Sequence, residues 1–91
     1  MSRYTWDREK ARVNLAKHGV SFEEAKTVPD TGPAHWVPDE RYPYEDHFLI
    51  TGYSSFGNLL VVVTSERGPR PRIISARRAT KRERHAYDTR S

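Results

Sequence analysis

Cysteine is absent from the sequence, and the longest uninterrupted apolar run is the five residues from Leu59 to Val63. Without cysteine the chain can hold neither a disulfide framework nor a thiolate zinc site, and it has no cysteine nucleophile. An apolar run of five falls far short of the ~20 residues that a membrane-spanning helix needs. Residues 1–7 show no apolar segment typical of a signal peptide, so we expect a cytoplasmic protein.

Motifs of cofactor and metal chemistry are also missing. There is no glycine-rich phosphate loop, no GxSxG turn and no kinase signature, so nucleotide-cofactor and serine-hydrolase functions have no support. The four histidines are scattered over positions His18, His35, His47 and His85. Only Glu45 and His47 can share one face of a strand, and two ligands are too few for a zinc site. We therefore expect neither a metal nor a cofactor.

The chain has 91 residues, and we predict that it forms one domain over residues 1–91. Positive charge is unevenly distributed along it. Residues 67–91 hold nine Lys and Arg against two acidic residues, whereas residues 1–66 hold seven against ten. Eight of those nine are Arg, whose planar guanidinium suits phosphate. The basic third indicates a polyanionic partner, either nucleic acid or an acidic protein, although a solvated basic face fits the charge equally well.

Capping residues predict two helices near the N-terminus. Asp7 begins a helix from about Arg8 to His18, and Gly19 stands where a helix-ending glycine belongs. The segment Ser21-Phe22-Glu23-Glu24 forms a capping box, in which the serine hydroxyl and the glutamate carboxylate each bind a backbone amide. We expect this second helix to be short because Pro29 stops it.

Strands are predicted in the middle of the chain. Apolar and polar residues alternate from Tyr44 to Tyr53, and the continuous β-branched run of Leu59 to Val63 indicates a buried central strand. A third strand is predicted over Arg72 to Arg77, and a weaker one around Ala34 to Pro38. Short turns join the main strands, so we expect an antiparallel sheet.

The order of elements predicts an α+β domain. Thr80-Lys81-Arg82-Glu83 is a further capping box, which opens a C-terminal helix through about Tyr87. The expected architecture is a small antiparallel sheet of three to four strands with two N-terminal helices and a C-terminal helix. Asn14 and His18 lie one turn apart on what we predict to be the buried side of the first helix, and we interpret them as structural polar residues rather than as a proton-transfer pair.

RNA cleavage by an internal 2′-hydroxyl requires a base, an acid and groups that stabilise the phosphorane. The candidates are Arg67 and Arg77 for the phosphorane, His47, Glu45 and His85 for proton transfer, and Tyr87 for base stacking or proton donation. Further basic residues expected to bind RNA are Arg72, Arg78, Lys81, Arg82 and His85. Arg72 and Arg77 stand five positions apart, so a regular strand places them on opposite faces. The same residues also fit a protein that binds a polyanion without catalysis.

Two end segments together resemble the BrnT toxin family. The opening one comprises Trp6-Asp7, Lys10-Ala11, Asn14 and Lys17-His18-Gly19-Val20-Ser21-Phe22-Glu23-Glu24-Ala25, and the closing one comprises Arg72-Ile73-Ile74-Ser75-Ala76-Arg77-Arg78-Ala79, Glu83-Arg84 and Tyr87. The resemblance implies a RelE-like ribonuclease fold, a type II toxin–antitoxin system, and RNA cleavage that halts translation. It also implies a BrnA-type antitoxin that masks the toxin, operator DNA bound only through the antitoxin complex, and a toxin–antitoxin heterotetramer.

The resemblance implies a metal-independent endoribonuclease with basic side chains on the sheet, and Arg67 and Arg77 match those positions best. His47 and Asn58 depart from the family pattern, because an Arg is usual at both. These two changes favour the alternative of a non-catalytic module that binds RNA or docks an antitoxin. A DNA-binding regulator has less support, since no helix-turn-helix is evident.

Overall fold

The computed structural model describes residues 2–90, which form four helical segments and one four-stranded sheet. In chain order the elements are α1 (Arg8–His18), α2 (Phe22–Ala25), α3 (Thr27–Thr31), β1 (His35–Pro38), β2 (His47–Tyr53), β3 (Leu59–Ser65), β4 (Arg72–Arg78) and α4 (Lys81–Thr89). All neighbouring strands are antiparallel, in the order β1-β2-β3-β4. The predicted α+β class and antiparallel sheet are confirmed, and the weaker strand prediction corresponds to β1.

One face of the sheet packs against α1, α2 and α3. Ile50, Val62 and Ala76 lie side by side across β2, β3 and β4, and each is fully buried. The core cluster around them consists of Tyr4, Val20, Phe22, Ala25, Val28, Ile50, Leu60, Val62, Ile73 and Ala76. Burial of these apolar side chains is the main force that holds the helices on the sheet. We call this side the core face.

The opposite side of the sheet, which we call the open face, is only partly covered. Helix α4 lies over one end of it, where Tyr87 packs edge-on against Tyr53 with ring centroids 5.7 Å apart. No residue of α4 is buried, so the helix is held by polar and aromatic contacts rather than by a core of its own. The other end of the open face stays accessible and carries the candidate site.

Two predicted boundaries in the chain are wrong. Pro29 does not stop the second helix, because it lies in the first turn of α3, where its missing N–H has no helical partner to lose. Strand β2 begins at His47 rather than at Tyr44. The preceding residues fold into consecutive turns that end at Asp46, whose φ of 52° is incompatible with an extended strand.

A β-bulge in β4 changes the face on which its side chains lie. Val63 pairs with Ser75 but the next residue of β3 pairs with Ile73, so Ile74 is an extra residue. Arg72 is opposite Ser65 and Arg77 is opposite Val61, and both pairs belong to the open face. The prediction that Arg72 and Arg77 face opposite sides is therefore wrong, because the bulge shifts the alternation by one.

Three of the four predicted helix-capping interactions are present. Asp7 accepts from the Glu9 amide, Ser21 accepts from the Glu24 amide, and the Thr80–Glu83 box is complete. The predicted return bond of Glu24 to its own helix does not form. Its buried carboxylate instead accepts hydrogen bonds from Ser54 Oγ (2.7 Å) and Asn58 Nδ2 (2.8 Å), which ties α2 to the β2–β3 turn.

Asn14 is structural, as predicted. The buried carboxamide donates from Nδ2 to the carbonyl oxygens of Val20 (3.0 Å) and Ala76 (2.9 Å), and its Oδ1 accepts from the Ala76 amide (3.1 Å). Because β4 is an edge strand, Asn14 supplies the donor and the acceptor that a neighbouring strand would supply. His18 is exposed rather than on the buried side of the helix.

Candidate active site

A cavity of about 510 Å³ occupies the accessible end of the open face. Strands β2, β3 and β4 form its floor, the β1–β2 loop and the residues after β3 form its walls, and α1 reaches one rim. The lining residues are Lys10, Arg41, Tyr42, Glu45, His47, Val63, Ser65, Arg67, Arg72, Ile74 and Ser75. Of the sequence candidates, the cavity therefore brings together His47, Glu45, Arg67 and Arg72.

The cavity is strongly cationic. Lys10, Arg41, Arg67 and Arg72 contribute four positive side chains, and Glu45 is its one carboxylate. Side chains of one sign that line a concave surface reinforce one another and attract a polyanion. The arrangement suits a phosphodiester, which presents charged oxygens to several donors at once.

Arg41 is held in place by a buried carboxylate. Its Nε donates to Asp39 Oδ1 (2.9 Å) and its Nη2 donates to Asp39 Oδ2 (2.8 Å). These hydrogen bonds lower the pKa of Asp39 from its ordinary value. The Arg41 side chain is nevertheless 67% exposed and lines the cavity, so its remaining N–H groups are accessible to a ligand. Asp39 thus fixes the direction of a guanidinium that can still bind an anion.

His47 and Glu45 form a close pair of a base and an acid in the cavity. His47 Nε2 lies 3.6 Å from Glu45 Oε2, and the imidazole ring packs against Tyr42 with centroids 4.9 Å apart. Within residues 2–90, the buried Nδ1 of His47 has no hydrogen-bond partner. The prediction that Glu45 and His47 share one face of a strand is confirmed in part. The two side chains meet, but Glu45 lies in the loop before β2 and not in the strand.

Arg67 and Arg72 stand at the ends of the β3–β4 connection. Arg67 Nη2 donates to the carbonyl oxygen of Tyr44 (2.6 Å), which links this connection to the β1–β2 loop. The preceding Glu66 accepts from the hydroxyls of Tyr4 (2.8 Å) and Thr64 (2.7 Å) and so fixes the end of β3. Both arginines keep exposed side chains at the cavity.

Arg77 lies outside the lining of the cavity. Its Nη1 and Nη2 donate to Glu83 Oε1 (2.7 Å) and Oε2 (2.8 Å), so its planar fork is already occupied by a carboxylate. The same pair lowers the pKa of Glu83 to about 2, with the Arg77 hydrogen bonds as the main cause. Arg77 therefore anchors the first turn of α4 to the sheet.

The remaining candidates also lie away from the cavity lining. Tyr87 donates its hydroxyl to the carbonyl oxygen of Pro33 (2.7 Å) and so holds α4 against the loop before β1. Arg78 donates to Asn58 Oδ1 (3.0 Å), so Asn58, the residue before β3, is linked to the end of β4. Three exposed basic candidates on α4 are Lys81, Arg82 and His85.

Among the charged and aromatic side chains that line the cavity, sequence reasoning missed three, namely Lys10, Arg41 and Tyr42. Lys10 belongs to the opening segment of the family resemblance, and nothing else in the sequence marked it as a site residue. The Asp39–Arg41 spacing carries no signal of its own, since the pair meets only because the loop turns back on itself. In the part of the chain that is described, no group of three or more His, Asp or Glu side chains is placed to bind a metal ion. No helix among residues 2–90 is long and apolar enough to cross a membrane.

Comparison with known proteins decides the family. Residues 6–83 match the family described as the ribonuclease toxin BrnT of type II toxin–antitoxin systems. The chain belongs to this family. The 1.1 Å crystal structure of the ribonuclease toxin BrnT from Brucella abortus superimposes with a TM-score of 0.67 at 23% sequence identity, over 86% of this chain and 96% of that one. No curated protein matches the sequence.

The Brucella comparison establishes the fold, and the family match establishes the class of activity. A BrnT toxin is a ribonuclease of a type II toxin–antitoxin system, so this chain is a ribonuclease toxin whose partner is an antitoxin. The resemblance recognised in the end segments is confirmed.

Proposed function

We propose that the open-face cavity is the ribonuclease active site and that it cleaves RNA without a metal ion, by attack of a 2′-hydroxyl on the adjacent phosphorus. The observation that carries this proposal is the convergence of four cationic side chains on the Glu45–His47 pair in one cavity. A cationic cavity with one acid–base pair supplies the groups that this reaction needs.

The proposed chemistry assigns one proton transfer to each member of the pair. Glu45 accepts the proton of the 2′-hydroxyl as its oxygen bonds to phosphorus. Protonated His47 gives a proton to the 5′-oxygen as the bond between that oxygen and phosphorus breaks. The products are a 2′,3′-cyclic phosphate and a free 5′-hydroxyl, so atoms and protons balance.

The cations stabilise the charge that develops on phosphorus. Arg41 is oriented by Asp39 and Arg67 by the Tyr44 carbonyl, so both are positioned before the substrate arrives. Lys10 and Arg72 complete the ring of positive charge. Arg77 and Tyr87 take no part in this proposal, because Glu83 and the Pro33 carbonyl already engage them.

A cleavage assay in EDTA tests the proposal. Purified wild-type protein should cut a labelled RNA and leave 2′,3′-cyclic phosphate ends, and it should spare the same sequence made with 2′-deoxyribose. Glu45→Gln, His47→Ala and Arg41→Ala should each slow cleavage by about 100-fold or more, because each removes an acid–base group or a charge-stabilising donor. Arg8→Ala is the matched control, since it removes an exposed basic side chain outside the cavity lining, and it should retain full activity.

Three results would contradict the proposal. Loss of cleavage in EDTA that is restored by a divalent cation would overturn metal independence. Unchanged rates in the cavity variants would move the active site elsewhere. Salt-sensitive RNA binding with the RNA left intact would instead favour the non-catalytic binding module.

We further propose that the antitoxin is of the BrnA type, that it acts in the cytoplasm, and that it inhibits by covering this cavity with an acidic or amphipathic segment. In this scheme operator DNA is bound through the antitoxin, and the complex is a heterotetramer. Hydrogen exchange of the complex should show protection at the β1–β2 loop and the β3–β4 connection. Full exposure of both segments in the complex would refute inhibition by occlusion.

A further inference from the structure

A second cavity adjoins the proposed active site at the edge of the sheet. It has a volume of about 290 Å³ and lies between α1 and β4. Lys10, Ile74 and Ser75 line both cavities, so the two form one continuous concave path around the edge strand. We call the second cavity the α1 groove. The shared Ile74 is the extra residue of the bulge, which interrupts the regular strand edge at this point.

The α1 groove combines positive charge with apolar surface. Lys10 and Lys17 lie seven residues apart and therefore on the same side of α1, about 10 Å apart along the helix axis. Val13 lies between them and is 47% exposed. The groove also contains Glu9, but Arg12 forms a salt bridge with this carboxylate from the neighbouring turn. The net character is two separated ammonium groups beside an apolar strip.

Single-stranded RNA has the complementary chemistry. Its phosphates follow one another along the strand, and its unpaired bases and riboses offer apolar surface to side chains. Two lysines separated by about 10 Å along the helix axis can reach different phosphates of one strand rather than a single phosphate. A compact anion would leave Lys17 and Val13 unused, whereas an extended strand contacts both.

We propose that an RNA strand held in the active site continues past Lys10 and over the bulge of β4 into the α1 groove. There Lys17 binds a backbone phosphate, and Val13 and Ile74 contact a base. This inference rests on the proposed function, because the strand enters the groove from the active site. The RNA-binding surface of the enzyme thereby extends from a site for one phosphodiester to a track that contacts several nucleotides.

The test compares short and long RNA on one pair of variants. Lys17→Gln removes the distal charge of the groove, and Arg8→Gln removes an exposed charge of the same helix that does not line the groove. The probes are 2′-O-methyl oligonucleotides of about 4 and 12 nucleotides, which cannot be cleaved. Lys17→Gln should weaken binding of the long probe about threefold to tenfold and reduce its salt slope by about 0.7, the value for one lost phosphate contact.

The short probe should bind Lys17→Gln as it binds the wild type, and cleavage of a four-nucleotide RNA should be unchanged. Arg8→Gln should match the wild type with both probes. Val13→Glu provides a second variant, because this exposed position tolerates a carboxylate that repels the strand, and it should also weaken only the long probe.

The outcomes separate failure of the track from failure of the enzyme. If wild-type protein cleaves RNA but Lys17→Gln binds the long probe with unchanged affinity and salt slope, the track is refuted while the active site stands. If wild-type protein does not cleave RNA, the proposed function fails, and equal binding of the two probe lengths then refutes the track as well. Weaker antitoxin binding by Lys17→Gln with unchanged RNA binding would make the groove a protein docking surface and overturn the inference.

Discussion

Replacement of Asn14 by alanine should be one of the most damaging single substitutions in this chain. The carboxamide makes three hydrogen bonds of 2.9–3.1 Å to backbone groups of Val20 and Ala76, both of which are buried. Alanine removes the partner of all three groups. Each unsatisfied buried backbone group costs about 1–3 kcal/mol.

Taking the lower end of that range for each group, we expect Asn14→Ala to reduce the free energy of unfolding by about 3 kcal/mol. A domain of this size has a total stability of about 5–14 kcal/mol. The loss should lower Tm by about 12–24 °C, since 1 kcal/mol corresponds to about 4–8 °C in a domain of 60–100 residues. Urea denaturation followed by tryptophan fluorescence measures the change, because Trp6 packs against the core at Phe22.

Val13→Ala is the matched control for this experiment. It also truncates a side chain to alanine, one position earlier in α1, but Val13 is 47% exposed and makes no buried hydrogen bond. Its effect should stay within about 0.5 kcal/mol. A loss below about 1 kcal/mol for Asn14→Ala, or equal losses for the two variants, would refute the view that Asn14 replaces a strand neighbour.

Two further predictions concern the ionic contacts. Glu83 has a folded pKa of about 2, below its unfolded value, so the Arg77–Glu83 pair stabilises the protein above about pH 4.5 and this contribution is lost as pH falls toward 2. Since both side chains are partly exposed, we expect the pair to contribute about 1 kcal/mol to the free energy of unfolding. Urea titrations of the wild type and Glu83→Gln at pH 6 and pH 2 measure this contribution as the difference between the two proteins. A pH-independent difference would refute this assignment. Asp39→Asn should leave the protein folded but slow RNA cleavage about tenfold, because Arg41 loses one of its two side-chain hydrogen bonds to the carboxylate. Unchanged cleavage by a folded variant would show that Arg41 does not need this bidentate contact.

Both ends of α1 and the start of α4 could be predicted because their signals are local. Asp7 and Thr80 each bind an amide two or three residues away, and Gly19 adopts the left-handed φ of 71° that ends α1. These interactions form wherever the helix forms and need no distant partner. Strand β3 was equally predictable, since a short run rich in β-branched residues that follows a turn is typical of a buried central strand.

The turn before β2 and the bulge in β4 could not be predicted in the same way. The bulge at Ile74 exists only in relation to the register of β3, and it decides that Arg72 and Arg77 share a face. Pairing register depends on contacts between segments far apart in the chain, so residue alternation within one strand does not reveal it. Glu83, whose carboxylate binds Arg77, belongs to the predicted capping box. Its second role, the contact with Arg77, could not be predicted because it depends on the position of α4 over the sheet.

The fold class and the basic character of the last third could be inferred from the residues alone, and the two end segments indicated membership of a ribonuclease toxin family. Which cations act together depends on how the chain packs. The tertiary structure placed Lys10 of α1 and Arg41 of a loop beside Arg67 and Arg72, and it engaged Arg77 with Glu83 outside the cavity. The physical reason is that composition sets the amount of charge, whereas the packing of helix, loop and strand sets the distances over which charges can bind one phosphate.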